Sequence, residues 1–156
     1  MKIFTIGHST RSFGEFLKIL KHFKIDLLID VRKFPSSKKF PWFNKENLEI
    51  ELRRNKIDYL HYPELGGFRK EGYEAFTKTS EFADAIKKLM EIIDYKNVVI
   101  TCAELLFFRC HRRYIAEALT ALGYKVIHIY DENKVQEHKL KMPEMQVKIF
   151  CDKIKH

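Results

Sequence analysis

Residues 98–123, VVITCAELLFFRCHRRYIAEALTALG, combine a short apolar run, a cluster of reactive side chains and a helical pattern in direct succession. The apolar run predicts a buried strand, and the apolar residues after the cluster recur at helical spacing until a glycine ends them. The two thiols of the cluster, Cys102 and Cys110, are therefore expected at a strand-to-helix turn. A helix N-terminus there favours anions and lowers the pKa of a nearby thiol, so this turn is the first candidate for a reactive site.

Four further apolar runs of strand length are spaced along the chain, and amphipathic helical patterns lie between them. Together with the first run they predict strands at residues 3–6, 27–31, 57–62, 98–101 and 126–130. Helices between successive strands indicate an α/β domain whose mostly parallel sheet of about five strands is covered on both faces. Beyond Asp131 the chain is polar, and a last short helix is predicted at residues 145–154.

Length and composition favour one globular domain that spans residues 1–156. The chain is 46% hydrophobic and 13% aromatic, which is enough for a substantial core and too apolar for a disordered protein. No apolar run approaches the roughly 20 residues of a membrane-spanning helix, so no membrane partner is expected. Three cysteines cannot all pair within one chain, and we therefore expect a reducing, cytoplasmic compartment.

Positive charge is concentrated in residues 31–56. This segment contains eight lysine and arginine residues and three glutamates, and its net charge of +5 is the larger part of the formal net charge of +8. The sequence pI of about 9.3 lies in the range of nucleic-acid-binding proteins. In this basic region Lys38, Lys39, Trp42 and Lys45 are candidate nucleic-acid contacts, because cations bind phosphates and aromatic rings stack on bases. A solvated lysine-rich surface, with Trp42 filling the core, is equally compatible with the pattern.

Polar or reactive side chains follow directly after each of the first four predicted strands. In a parallel sheet the carboxyl ends of the strands meet at one edge, where α/β proteins bind their ligands. In strand order these ends contribute Gly7, His8, Ser9 and Thr10; Asp30 and Arg32; Glu64; and Cys102, Glu104, Cys110, His111 and Arg112. Apolar strand bodies with reactive ends predict one functional cleft.

The first three strand ends each allow a functional and a structural interpretation. Gly7 and the three polar residues after it could bind phosphate through backbone N–H groups and hydroxyls, or simply cap the first helix. Asp30 and Arg32 point to the same side of their strand, either as functional groups or as an internal ion pair. Glu64 is either a general acid or base or a solvated loop carboxylate.

Cys110 is the better candidate nucleophile of the two cysteines at the turn. It lies between Arg109 and His111 where a helix begins, and both conditions lower a thiol pKa. Cys102 ends an apolar run and is more typical of a small buried side chain. A metal held by Cys102, Glu104, Cys110 and His111 is a minor alternative, because seven residues separate the cysteines and zinc sites use shorter spacings. No other cofactor is expected.

Several short motifs in fixed order resemble the DUF488 family, whose name records a domain of unknown function. They are TIGHST at 5–10, DVR at 30–32, PELGG at 63–67, and CAE followed by RCHR within 102–112. The resemblance covers roughly residues 1–140 and leaves 141–156 as a short C-terminal extension. It implies a three-layer, Rossmann-like domain and the processing of nucleotides or nucleic acid. Residues 105–108, Leu-Leu-Phe-Phe, are more apolar than the stretch that family members often carry there, which is compatible with a partner surface.

We therefore expect an enzyme whose cleft binds a phosphate-bearing nucleotide, nucleoside or nucleic-acid component. Its candidate catalytic residues are Asp30, Glu64, Cys110 and His111. Its candidate substrate-binding residues are Gly7, His8, Ser9, Thr10, Arg32, Cys102, Glu104 and Arg112. Two alternatives stay open: a non-catalytic nucleic-acid-binding module that uses the basic region, and a thiol- or metal-dependent protein that uses Cys102 and Cys110. The oligomeric state is left open.

Overall fold

A computed structural model describes residues 1–94 and 96–155. The strands in those residues are β1 (Lys2–Gly7), β2 (Leu27–Asp30), β3 (Asp58–His61), β4 (Val98–Cys102), β5 (Lys125–Asp131) and β6 (Lys134–Glu137). They form one sheet in the order β3-β2-β4-β1-β5-β6. The first five strands run parallel, and β6 pairs antiparallel with β5.

Helices connect the parallel strands and cover both faces of the sheet. They are α1 (Phe13–His22), α2 (Lys45–Arg54), α3 (Tyr73–Phe76), α4 (Ser80–Ile93), α5 (Arg112–Ala121) and α6 (Glu144–Lys155), with short 3-10 turns at Pro41–Phe43, Pro63–Leu65 and Phe107–Arg109. The apolar stripes of α1 and α2 pack on one face, around Phe16 and Leu48. Those of α4 and α5 pack on the other face, around Ile86 and Leu119. The result is the three-layer, Rossmann-like α/β architecture that the sequence predicts.

The chain changes faces after β3, and this change places a crevice above the centre of the sheet. The connections β1–β2 and β2–β3 run through α1 and α2 on one face, whereas β3–β4 and β4–β5 run through α4 and α5 on the other. Apart from Lys2, every residue of β1, β2 and β4 is buried, which explains their continuous apolar runs. Such a change of face opens a crevice at the carboxyl ends of the strands.

The five predicted strands are confirmed, and each predicted end lies within one residue of the observed end. The strand β6 is not predicted, because its four residues, KVQE, are all exposed and show no alternating apolar pattern. It forms because the chain turns back on β5, where the backbone N–H of Asn133 donates to Asp131 Oδ1 at 2.7 Å.

The C-terminal extension packs against the body of the domain through α6. Ile154 is buried in the cluster that α4 and α5 form, and the thiol of Cys151 donates to the carbonyl oxygen of Ala121 at 3.3 Å. The predicted helix at 145–154 is therefore observed, one residue longer at each end. Among the helices described here, none has the length and apolar character that crossing a bilayer requires.

The backbone at the end of β1 lies very close to the loop that follows β4. The N–H groups of His8 and Ser9 donate to carbonyl oxygens of β4 and that loop at 2.8 and 2.9 Å, so the two segments stay paired beyond the strands. A Cβ at Gly7 would lie 1.8 Å from the carbonyl oxygen of Glu104. A glycine is required at this position because the loop crosses it.

Replacing Gly7 with alanine is expected to lower the free energy of unfolding by about 1–3 kcal/mol, because the added methyl group collides with backbone. Gly14→Ala is the matched control. A Cβ at Gly14 meets nothing nearer than 3.9 Å, and alanine in α1 is expected to raise stability by about 0.5–1 kcal/mol. Urea denaturation of both variants measures the difference. Equal stability of the two variants would show that the crossing loop does not constrain this position.

Candidate functional site

A cavity of about 650 Å³ opens at the carboxyl ends of β1, β2 and β4. The predicted site residues on its wall are His8, Ser9, Thr10, Arg32, Cys102, Glu104, Cys110 and His111. Three others, Gly7, Asp30 and Arg112, are buried beneath the wall. Glu64 is exposed on the 3-10 turn Pro63–Leu65 and does not line the cavity.

The thiols of Cys102 and Cys110 lie side by side on the cavity wall, with their sulfur atoms 2.6 Å apart. Cys102 is the last residue of β4, and Cys110 lies two residues before α5. The backbone N–H of Arg112, the first residue of α5, donates to the Cys110 sulfur at 3.4 Å. Both cysteines are free thiols. The end of the strand and the N-terminus of the helix thus bring the two sulfurs into contact.

Arg112 is only 1% exposed and supports this turn from beneath. Its guanidinium donates to the Cys102 sulfur at 3.0 Å, to the Thr5 hydroxyl at 3.1 Å, and to the carbonyl oxygens of Glu104 and Leu105 at 2.6 and 3.3 Å. No carboxylate in residues 1–94 or 96–155 lies within ion-pair distance of it. The guanidinium therefore contacts the thiol pair and the loop after β4, and a direct role of Arg112 in binding a substrate phosphate stays a prediction.

The imidazole of His111 is oriented by a backbone carbonyl so that its other nitrogen faces Cys110. Nε2 lies 3.0 Å from the carbonyl oxygen of Val31, and because a carbonyl only accepts, Nε2 carries the proton. In the neutral ring Nδ1 is then an acceptor, and it lies 3.6 Å from the Cys110 sulfur. His111 is placed to accept the thiol proton and, once charged, to stabilise the thiolate.

The pKa values of the two thiols move in opposite directions. A hydrogen bond from the Cys102 thiol lowers the pKa of Cys110 against the effect of burial, and His111 and Arg112 lower it further. Burial raises the pKa of Cys102, and its hydrogen bond with Cys110 acts in the same direction. The pair therefore shares one proton, which stays on Cys102, while Cys110 is the thiolate.

Asp30 and Arg32 form the internal ion pair that is one of the two sequence interpretations. Arg32 donates from Nε and Nη2 to the two Asp30 oxygens at 2.9 and 2.7 Å, and the Tyr59 hydroxyl donates to Asp30 at 2.6 Å. Asp30 is completely buried. Since both oxygens are occupied within the protein, the carboxylate orients Arg32 and has no open side toward the cavity.

His8 is a neutral wall residue with both ring nitrogens engaged. Nδ1 donates to the Ser9 carbonyl oxygen at 2.9 Å, and Arg32 Nη1 donates to Nε2 at 3.3 Å. The ring stacks on Phe43 with 4.2 Å between ring centres. Burial lowers the pKa of His8 to about 4, although its hydrogen bond to Ser9 opposes the shift. His8 therefore shapes the cavity and stays uncharged at neutral pH.

In the turn at residues 7–10, two of the backbone N–H groups that the sequence suggests for phosphate are already bonded within the protein. Those of His8 and Ser9 are bonded to β4 and the loop after it, and α1 begins only after its N-cap, Ser12. The side chains of Ser9 and Thr10 lie on the cavity wall. The turn can thus contribute hydroxyl groups to a ligand, but the N-terminus of α1 is not part of the site.

The two candidate glutamates differ in position. Glu64 does not line the cavity, whereas Glu104 lies on its wall, where its carboxylate accepts a hydrogen bond from the Leu106 N–H at 3.3 Å. For the suggested metal site, residues 1–94 and 96–155 contain no group of three or more His, Cys, Asp or Glu side chains in metal-binding geometry.

Among the described residues on the cavity wall, ten lie outside the set predicted from the sequence, and four of those are cations or exposed aromatic residues: Lys33, Phe34, Phe68 and Arg109. Two are cations. The two phenylalanines are 67% and 81% exposed, with ring centres 5.9 Å apart. Phe68 has a φ of 58°, which is unusual for a bulky residue. The sequence offers a weak signal, since Phe34 follows the DVR motif and Phe68 follows PELGG, but only the loop conformation brings the rings together.

The candidate nucleic-acid contacts are in different environments. Lys38 and Lys39 are exposed on a loop that forms part of the cavity wall. Trp42 is half-buried: its indole N–H donates to a backbone carbonyl at 2.9 Å, and its ring packs against the core beside α1 and α2. Lys45 begins α2 and is half-buried. Trp42 therefore fills the edge of the core, which is the structural interpretation of that residue.

Alkylation of Cys110 by iodoacetamide is expected to stay fast well below the ordinary thiol pKa of about 8.5, because the reactive thiolate persists there. Cys102→Ala removes the donor that lowers the pKa of Cys110 most, so the pH profile should move to higher pH. Peptide mapping after timed alkylation measures both profiles, with Cys151 as the reference thiol. A Cys110 profile that matches Cys151, or that ignores Cys102→Ala, would contradict the assigned thiolate.

Comparison with known proteins confirms the resemblance seen in the motifs. The family model described as "Domain of unknown function DUF488" matches residues 12–119, which include the end of β2 and the whole turn with the two thiols. Searches of curated proteins and of solved structures found no match. Since the matched segment covers more than half of the 156 residues, the chain belongs to the DUF488 family.

Proposed function

We propose that the protein is a thiol-dependent enzyme that acts on a phosphate-bearing substrate, such as a nucleotide, bound in the cavity. The position of Cys110 carries this proposal. Its sulfur lies on the cavity wall, 3.6 Å from Nδ1 of His111 and at the N-terminus of α5. A nucleophile beside a base that a third group orients is the arrangement of covalent catalysis, and here the Val31 carbonyl is the third group.

In this proposal Cys110 is the nucleophile and His111 is the group that moves the proton. His111 accepts the thiol proton when Cys110 ionises and returns it to the leaving group. Arg112 reaches the thiol pair from beneath, so the cavity in front of Cys110 stays free for the substrate. Asp30 and Glu64 have no part, because Asp30 is bonded on both oxygens and Glu64 lies outside the cavity.

The charges on the wall support an anionic substrate. Lys33 and Arg109 line the cavity, and Glu104 is the one acidic residue on its wall within residues 1–94 and 96–155. Arg32 also reaches the wall, but Asp30 neutralises it. Cations without an internal carboxylate partner attract phosphate, and an arginine can bind it through two parallel hydrogen bonds.

The aromatic rim supports a substrate with a flat ring. Phe34 and Phe68 are exposed beside each other at the cavity, and exposed apolar side chains grouped at a cleft mark binding surfaces. A nucleobase stacks on such rings without requiring a particular hydrogen-bond pattern. A nucleotide with its base on the rim could place its phosphate between Lys33 and Arg109.

Arg109→Ala is expected to weaken the binding of a nucleoside monophosphate by about 1–3 kcal/mol, because a charge-assisted hydrogen bond is lost. Binding of the matching nucleoside should change much less. Arg113→Ala is the control, since it removes the same charge from a residue that lies off this cavity and against the Tyr114 ring. Isothermal titration calorimetry with paired nucleosides and nucleotides measures the difference. Equal affinities in all three proteins would rule out an anion site at Arg109.

A nucleic-acid-binding module is the second candidate function. The observation that favours it is the position of Lys38 and Lys39, which lie between the cavity residues Ser37 and Phe40. A single strand with one base in the cavity would carry its phosphates past these two lysines, which are both exposed.

Changing Lys38 and Lys39 together to glutamate is expected to lower the affinity for single-stranded RNA or DNA of any sequence, since phosphate contacts carry no base information. The binding should also weaken steeply with salt. Lys87 and Lys88, exposed on α4, provide a control when changed in the same way. Fluorescence anisotropy at low salt measures all three proteins. No complex with the unaltered protein, or equal losses in both double variants, would exclude this candidate.

A further inference from the structure

The geometry points to a further activity of the thiol pair: thiol–disulfide exchange, in which Cys110 attacks a low-molecular-weight disulfide and Cys102 completes the reaction by closing an internal disulfide. Two free thiols whose sulfurs lie 2.6 Å apart on one cavity wall carry this inference. A disulfide that reaches Cys110 in the cavity therefore leaves its mixed-disulfide product in contact with Cys102.

The two thiols differ in access, and the difference assigns their order of reaction. Cys110 is half-buried and open to the cavity, whereas Cys102 is only 2% exposed. An external disulfide meets Cys110 first. Cys102 also lies on the wall but is much less exposed, which suits it to the second, internal attack on a group already attached to Cys110. Cys151 takes no part, because it lies on α6 and its thiol donates to the Ala121 carbonyl.

The proposed reaction balances without any further oxidant. The Cys110 thiolate attacks one sulfur of the disulfide R–S–S–R, forms the mixed disulfide Cys110–S–S–R, and releases R–S⁻. The released thiolate takes the proton of Cys102 and leaves as R–SH. The Cys102 thiolate then attacks the Cys110 sulfur, closes the internal disulfide and releases the second R–S⁻, which takes the proton that His111 removed from Cys110. The disulfide is reduced to two R–SH, and the protein dithiol is oxidised.

Each cysteine has its own partner for this sequence. The Cys110 thiolate is held by the α5 N-terminus and His111, with contacts of 3.4 and 3.6 Å. As Cys102 ionises in the second step, its charge develops 3.0 Å from Nε of Arg112, a cation that is already in place. A buried thiol without such a partner would resist ionisation.

The activity rests on the proposed function in one respect, because both use Cys110 as the nucleophile, but it requires no phosphate on the substrate. Lys33 and Arg109 favour an anionic disulfide at the cavity. Oxidised glutathione, which carries several carboxylates, is therefore the probe of choice.

The test is incubation of the reduced protein with oxidised glutathione, followed by intact-mass measurement and non-reducing peptide mapping. The unaltered protein should lose two hydrogens, release two equivalents of glutathione and contain a peptide linked through Cys102 and Cys110. Cys102→Ala should stop after one equivalent and keep one glutathionyl group on Cys110. Cys110→Ala should lose most of the initial rate, and Cys151→Ala, the control, should behave as the unaltered protein.

Other outcomes separate this activity from the proposed function. If the unaltered protein keeps a glutathionyl group on Cys110 as stably as Cys102→Ala does, Cys102 does not resolve it, and the inference is wrong while Cys110 stands as a nucleophile. If glutathione is found mainly on Cys151, or if Cys110 reacts with neither glutathione nor iodoacetamide, the inference and the nucleophile fail together. If Cys110 is rapidly alkylated but the disulfide probe yields no product, only the exchange activity is overturned.

Discussion

The whole site depends on one buried cation. The Arg112 guanidinium bonds to β1 through Thr5, to β4 through Cys102, and to the loop after β4 through two carbonyl oxygens. These contacts fix where the loop crosses Gly7 and where α5 begins, and hence where Cys110 lies. A buried charge without a partner is costly. The Cys110 thiolate therefore stabilises the Arg112 guanidinium, and the guanidinium stabilises the thiolate in return. The fold and the ionisation of the thiols are therefore linked.

The same guanidinium sets the direction of a buried hydrogen-bond chain. Since arginine only donates, the Thr5 oxygen accepts from it, and the Thr5 hydroxyl proton points to Nδ1 of His128 at 2.6 Å. Nε2 of His128 then donates to Nδ1 of His138 at 2.9 Å. Burial lowers the pKa of His128 to about 3, and electrostatic repulsion from His138 and Arg112 acts in the same direction, so His128 stays neutral. The ring of Phe107 stacks on His128 with 3.6 Å between ring centres, which gives this one residue of the apolar loop at 105–108 a structural role as a cover.

The fold was predictable because its signals are local, and much of the site was not because its signals are long-range. Buried central strands leave apolar runs in the sequence, whereas the exposed β6 leaves none. The residue types at the strand ends identified eight of the eighteen described residues that line the cavity. Sequence patterns do not distinguish Arg109 on the wall from Arg112 beneath it, since only two residues separate them on a turn whose path only the fold defines. The contact between Cys102 and Cys110 depends likewise on tertiary packing, as does the pairing of Phe34 with Phe68.

The distribution of charge explains why the site separates its cations into two sets. Arg112 lies behind the thiols and is matched by one negative charge, because two sulfurs in contact cannot both ionise at little cost. Because the thiolate offsets the positive charge of Arg112, this cation attracts a second anion only weakly. An anion entering the cavity would be repelled by the thiolate unless other cations faced it. Lys33 and Arg109, on the wall, supply that attraction. In the proposed function, Arg112 behind the thiols would stabilise the thiolate, and Lys33 and Arg109 on the wall would attract the ligand.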